Sequence, residues 1–135
     1  MTTPRRLRAG DVILLFDGTI RPPKHKRFIC VVAQEGWLLR INSQRHFRPH
    51  LPVLATDAPG WLDHDSFVEL RGIIEHDTAE ITESLALGDS RVLGCLSPAI
   101  ARALTVAVQA AATFTPNDAA AIIAALEAEY GQQQA

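Results

Sequence analysis

The apolar residues of this chain change period near residue 97, and that change fixes what it can fold into. Upstream, Val12–Phe16, Phe28–Ala33 and Trp37–Asn42 are short runs rich in β-branched and aromatic side chains and bounded by turn formers, the pattern of strands. Gln34, Glu35 and Gly36 lie between the last two and suit a short hairpin with Gly36 at positive φ. Pro49, Pro52, Pro59 and Gly60 break any periodicity over residues 44 to 65, which read as irregular. Ser66–Glu75 resumes as a strand, in which Phe67, Glu69, Arg71 and Ile73 alternate with Val68, Leu70, Gly72 and Ile74. A short helix is expected around Asp77 to Ser84.

Downstream, Ser97 is an N-cap followed by Pro98 at the first helical position, and Ile100, Leu104, Ala107, Val108 and Ala111 recur at helical spacing. Thr115, Pro116, Asn117 and Asp118 open a second helix, with Ile122, Ile123, Leu126 and Tyr130 as its apolar set and Gly131 as its end. Residues 132 to 135 read as a frayed tail. The expected fold is α+β: a small antiparallel β-barrel or curled sheet over residues 1 to 96, then two C-terminal helices over 97 to 131, within a single domain 1 to 135.

At 135 residues and 47% hydrophobic content the chain fills one core and is too short to expect two. The run Val12–Phe16 stops at Asp17, short of a signal-peptide core or a membrane span, so a cytoplasmic protein without membrane attachment is expected. Cys30 and Cys95 sit in apolar contexts without a CxxC spacing and read as buried, reduced thiols. The histidines lack the spacing of zinc ligands, and no Walker or dinucleotide motif is present, so neither a metal nor a cofactor is expected.

Charge is divided unevenly. Residues 1 to 50 carry ten Lys/Arg against three carboxylates, a formal +7, whereas the remainder carries three Arg against twelve Asp/Glu, a formal −9. The near-neutral total therefore conceals a basic half suited to a polyanion, nucleic acid before membrane, unless the chain's own acidic helices neutralise it.

Gly10-Asp11-Val12 opens a strand; Lys26-Arg27-Phe28-Ile29-Cys30-Val31-Val32 launches a second; Ile41-Asn42-Ser43 ends a third. His64-Asp65-Ser66-Phe67-Val68 and Val92-Leu93-Gly94-Cys95-Leu96-Ser97 follow. The order of these short motifs resembles the PemK/MazF toxin superfamily. The likeness spans about residues 8 to 110. It implies an SH3-like barrel, a homodimer, metal-free cleavage of single-stranded RNA, and an antitoxin partner. By position, Arg27 matches the arginine that contacts the scissile phosphate, and Asn42 and Ser43 fall where the family places a Thr or Ser near it. The chain departs from the family pattern in the loop Arg21-Pro22-Pro23-Lys24-His25-Lys26, in Phe28 after the arginine, and in Asn42.

Metal-free RNA cleavage needs a base for the 2′-OH, cations for the phosphorane and an acid for the leaving 5′ oxygen. Arg27 offers a planar fork for phosphate, Lys24 and Lys26 add point charge, and His25 or a carboxylate can move protons. On a strand, His25 and Arg27 share one face about 6 to 7 Å apart, with Lys26 on the other. The expected catalytic set is Arg27, His25, Asn42 and Ser43; Lys24, Lys26, Arg45, Arg48 and His64 are expected to bind RNA, with His46 and His50 on the same long loop. His64-Asp65-Ser66 reads as a turn or strand cap, since sequence neighbours face opposite sides of a strand. Two further functions stay open: an SH3-like module that binds nucleic acid or protein without cleaving, and a poison of a protein target.

Overall fold

A computed structural model describes residues 6–17, 24–44 and 48–131. The protein is α+β. Seven antiparallel strands, β1 (Asp11–Asp17), β2 (Lys24–Val32), β3 (Trp37–Asn42), β4 (His50–Val53), β5 (Ser66–Glu69), β6 (Ile74–Glu75) and β7 (Arg91–Cys95), combine with helices α1 (Thr78–Leu87), α2 (Pro98–Ala110) and α3 (Pro116–Tyr130). The strand order is β4-β5-β3-β2-β1-β7, with β6 also on β3. Among the described residues no ladder joins β4 to β7, so the sheet is open. No helix of the described residues is long and apolar enough to cross a membrane.

Alternation sorts the strand residues onto two faces. Val12, Ile29, Val31, Leu39 and Val68 pack with Leu104 and Val108 of α2 and Ile122 and Leu126 of α3 in the main core. Ile13, Leu15, Phe28, Cys30 and Leu38 form a smaller core with Ile81 of α1 on the other face. Each fully buried aliphatic side chain contributes about 1.5–3 kcal/mol, so the helical layer behind the first face holds most of the stability. The three helices are fixed locally by their caps: Ser97 Oγ accepts from Ile100 N, Thr115 Oγ1 from Asp118 N, and Asp77 Oδ1 from Glu80 N. The last of these starts α1 where the sequence pattern places it.

The hairpin at Gly36 is also as expected: a 3₁₀ turn at Ala33–Glu35 ends on Gly36 at φ 68. A Cβ there would run into the carbonyl of His76, whose own N–H bonds Gly36 O at 2.9 Å, so the position needs glycine for space as well as for φ.

The structure corrects the sequence reading in three places. Within the stretch read as irregular, His50–Val53 forms β4, and Pro52 is tolerated because β4 is an edge strand, with no outer neighbour to bond among the described residues. Ser66–Glu75 is not one strand: Ile41 faces Val68 and Leu38 faces Ile74, so three steps along β3 match six along its partner. The extra residues form a loop in which Leu70 N bonds Pro49 O and Leu70 O accepts from Thr113 Oγ1. Gly131 ends α3 as expected, in a right-handed conformation at φ −59. Cys95, expected to be buried, is exposed, while Cys30 is buried.

Candidate nucleic-acid interface

The first half of β2 leaves the core gradually, from buried Ile29 back to exposed Lys24. His25 and Arg27 share the face that carries Ile29, with His25 exposed and Arg27 half-buried. Directly across, Phe16 and Leu14 of β1 are their partners, and Arg91 of β7 partners Leu14 in turn. One row therefore runs Arg91, Leu14, Arg27, placing the two arginines about 10 Å apart over two strand spacings. Phe16 is 49% exposed, and its ring lies edge-on to that of His25, with centroids 5.3 Å apart.

Two loops complete this end of the sheet. Trp61, buried, anchors the segment after β4; its Cδ1 lies 3.2 Å from where a Cβ on Gly94 would sit. Asp65 Oδ1 accepts from Ala55 N at 2.8 Å and Ser66 Oγ donates to His64 O, so the His64-Asp65-Ser66 motif braces a loop. The brace delivers Asp63 to Arg27: Nη2 donates to Oδ2 at 3.2 Å. The second loop follows α1, where Gly88 at φ 83 turns the chain. There Ser90 Oγ accepts from Phe16 N and contacts Ser84 Oγ at 2.6 Å, tying the loop to the end of β1.

That loop presents the Asp89 carbonyl to His25 Nε2 at 2.8 Å. A carbonyl only accepts, so Nε2 carries the proton and Nδ1 is left facing away from the loop. Arg27 Nε is buried with no hydrogen-bond partner among the described residues. The guanidinium is therefore only partly engaged by Asp63.

The expected catalytic residues do not assemble as one group. His25 and Arg27 come together, with Asp63. Asn42, by alternation with Leu39 and Ile41, lies on the opposite face and donates from Nδ2 to Glu69 Oε2 at 2.9 Å. Ser43 is exposed in a bend beyond the strand. Among the expected RNA-binding residues, Lys24 is exposed and Lys26 half-buried, both on the Asn42 side by alternation; Arg48 and His64 are exposed. Arg45 and His46 lie outside the described residues, and His50 belongs to β4 rather than to a loop.

Asp63, Phe16 and Arg91 were missed. The hidden signal was Trp61, whose anchoring fixes Asp63; Arg91 was discounted with its acidic surroundings although its strand lies beside β1. Among the described residues no group of three or more His, Cys, Asp or Glu side chains is arranged to hold a metal ion. No protein-family model, curated protein or solved structure matches this chain.

Proposed function

We propose that this protein is a divergent PemK/MazF-like endoribonuclease that cleaves single-stranded RNA by 2′-OH attack. One observation carries the reading: His25, Arg27 and Asp63 converge on one sheet face beside Arg91 and an exposed aromatic ring. Cations that track phosphates, together with a ring on which bases stack, are what a single strand requires.

The chemistry follows from the donors and acceptors present. A phosphate entering between Arg27 and Arg91 takes the guanidinium from Asp63, a pair too exposed to resist displacement. The freed Asp63 carboxylate removes the proton from the 2′-OH, and the 2′ oxygen attacks phosphorus. Arg27 holds the charge that builds on the non-bridging oxygens. His25, protonated on both nitrogens with Nε2–H on the Asp89 carbonyl, gives its Nδ1 proton to the departing 5′ oxygen. The products are a 2′,3′-cyclic phosphate and a 5′-OH.

The test is the structure of those ends. An RNA 12-mer should yield them, and a 2′-deoxy residue at the cleaved position should abolish product; cleavage through that deoxy residue would refute 2′-OH attack. The SH3-like barrel ancestry, homodimer, antitoxin partner and cytoplasmic site belong to the same proposal.

A second reading, binding without cleavage, is favoured by Asn42, which is engaged by Glu69 on the far face and supplies nothing to Arg27. Under it the 12-mer binds and remains intact.

A further inference from the structure

The helical layer has an outer face that neither the core nor the cleavage chemistry uses. α2 turns Ala101, Leu104 and Val108 inward. Its outward side carries Ala99, Ala103, Val106 and Ala110 at helical spacing, and Val106 is 68% exposed. Beside Val106 runs a groove of about 210 Å³ between α2 and α3. Pro98 at the start of α2 and Gly131 just past the end of α3 line the same groove, so the two helices run antiparallel.

One charge stands on each wall. Arg102 of α2 and Glu127 of α3 both line the groove, and both are exposed. Neither side chain forms an ion pair or hydrogen bond among the described residues. The surface that fits this groove is apolar at its centre, with an anion for Arg102 on one side and a cation for Glu127 on the other. A uniformly basic or acidic partner satisfies one wall and sets like charge against the other.

We propose that a second copy of this chain covers the groove, and that the homodimer named above is built on this face. With a two-fold axis along the groove, α2 of each copy lies over α3 of the other. Arg102 then faces Glu127 twice, and each Val106 packs on the opposite hairpin, as an isologous contact requires. The two hairpins form a four-helix layer in which every helix is antiparallel to its neighbours. The inference gives the homodimer its surface and stands on the helical hairpin alone, independent of RNA chemistry.

The test is sedimentation velocity of the full chain over about 1 to 500 µM, where a reversible dimer assembles by mass action. The parent should dimerise as its concentration rises. Arg102→Glu and Glu127→Arg each oppose like charges at both contacts and should weaken the dimer at least about tenfold. Both positions are exposed, so the circular dichroism spectra should match the parent's. An equimolar mixture of the two variants should recover the dimer, because one variant then brings two anions to the groove and the other two cations. A monomeric parent, or a mixture that gains nothing over the separate variants, would overturn the interface. A dimer undiminished in both variants would also overturn it, while leaving a homodimer at another surface. RNA cleavage by a monomeric parent would overturn this face and leave the ribonuclease reading standing.

Discussion

The guanidinium of Arg27 is held 3.2 Å from the carboxylate of Asp63, 36 positions further along the chain. The carboxylate side chain is 82% exposed, so the pair is weakly held and either partner is free to exchange it for a stronger ligand.

Removing that carboxylate's charge should separate stability from chemistry. Asp63→Asn is expected to leave the urea unfolding midpoint nearly unchanged, a difference within about 1 kcal/mol. Cleavage should fall by about 10²–10⁴, the usual contribution of a positioned base. A variant that cuts at the parental rate would remove Asp63 from the mechanism.

The acid role of His25 has a separate signature. His25→Ala should lose about 10²–10⁴ in rate on RNA, yet approach the parent on uridine 3′-(4-nitrophenyl phosphate), whose leaving group departs without a proton. If both substrates lose activity equally, His25 positions the strand and is not the acid.

The two thiols should behave oppositely. Burial, with a smaller effect from Asp11, pushes the Cys30 thiol from 9.0 up to about 12, whereas Cys95 is exposed. Iodoacetamide at pH 8 should label one thiol in the folded protein and two after denaturation. Because the folded state retains the Cys30 proton after the unfolded chain has lost it, stability is full below pH 9 and declines as pH rises toward 12. Tyr130 shifts in the same upward direction, through burial first, and steepens the decline. Cys30→Ala should flatten it; an unchanged slope would contradict the assignment.

Tyr130 also ties α3 to the sheet. Its hydroxyl donates to the Leu96 carbonyl at 2.7 Å, and a side chain on Gly10, at φ 90, would collide with its ring. Tyr130→Phe leaves that carbonyl unpaired and should cost about 1–3 kcal/mol in urea unfolding. Gly10→Ala should cost more, since it adds a clash to a left-handed backbone. A neutral Tyr130→Phe would mean that α3 docks through its apolar face alone.

Much of the fold was legible because its signals are local. The caps at Ser97 and Thr115 and the turn at Gly36 follow from side chains within four residues, and all three stand where the sequence puts them. The misreadings involve distant partners. Pro52 breaks a strand pattern unless the strand is known to be an edge, and the break after Glu69 depends on where β3 lies. At the interface, His25 and Arg27 were legible from alternation along one strand. Asp63 and Arg91 reach them through Trp61 and the β1–β7 pairing, which no spacing in the sequence encodes. Asn42 was assigned to the phosphate by family position, while its parity along β3 turns it to the other face and to Glu69.

The most direct test of the ribonuclease reading is a gel of single-stranded RNA in EDTA with the parent and Arg27→Ala side by side, both shown to be folded by circular dichroism. The parent should cleave, and Arg27→Ala should be slower by at least about 10². Equal rates, or intact RNA with a folded parent, would contradict it.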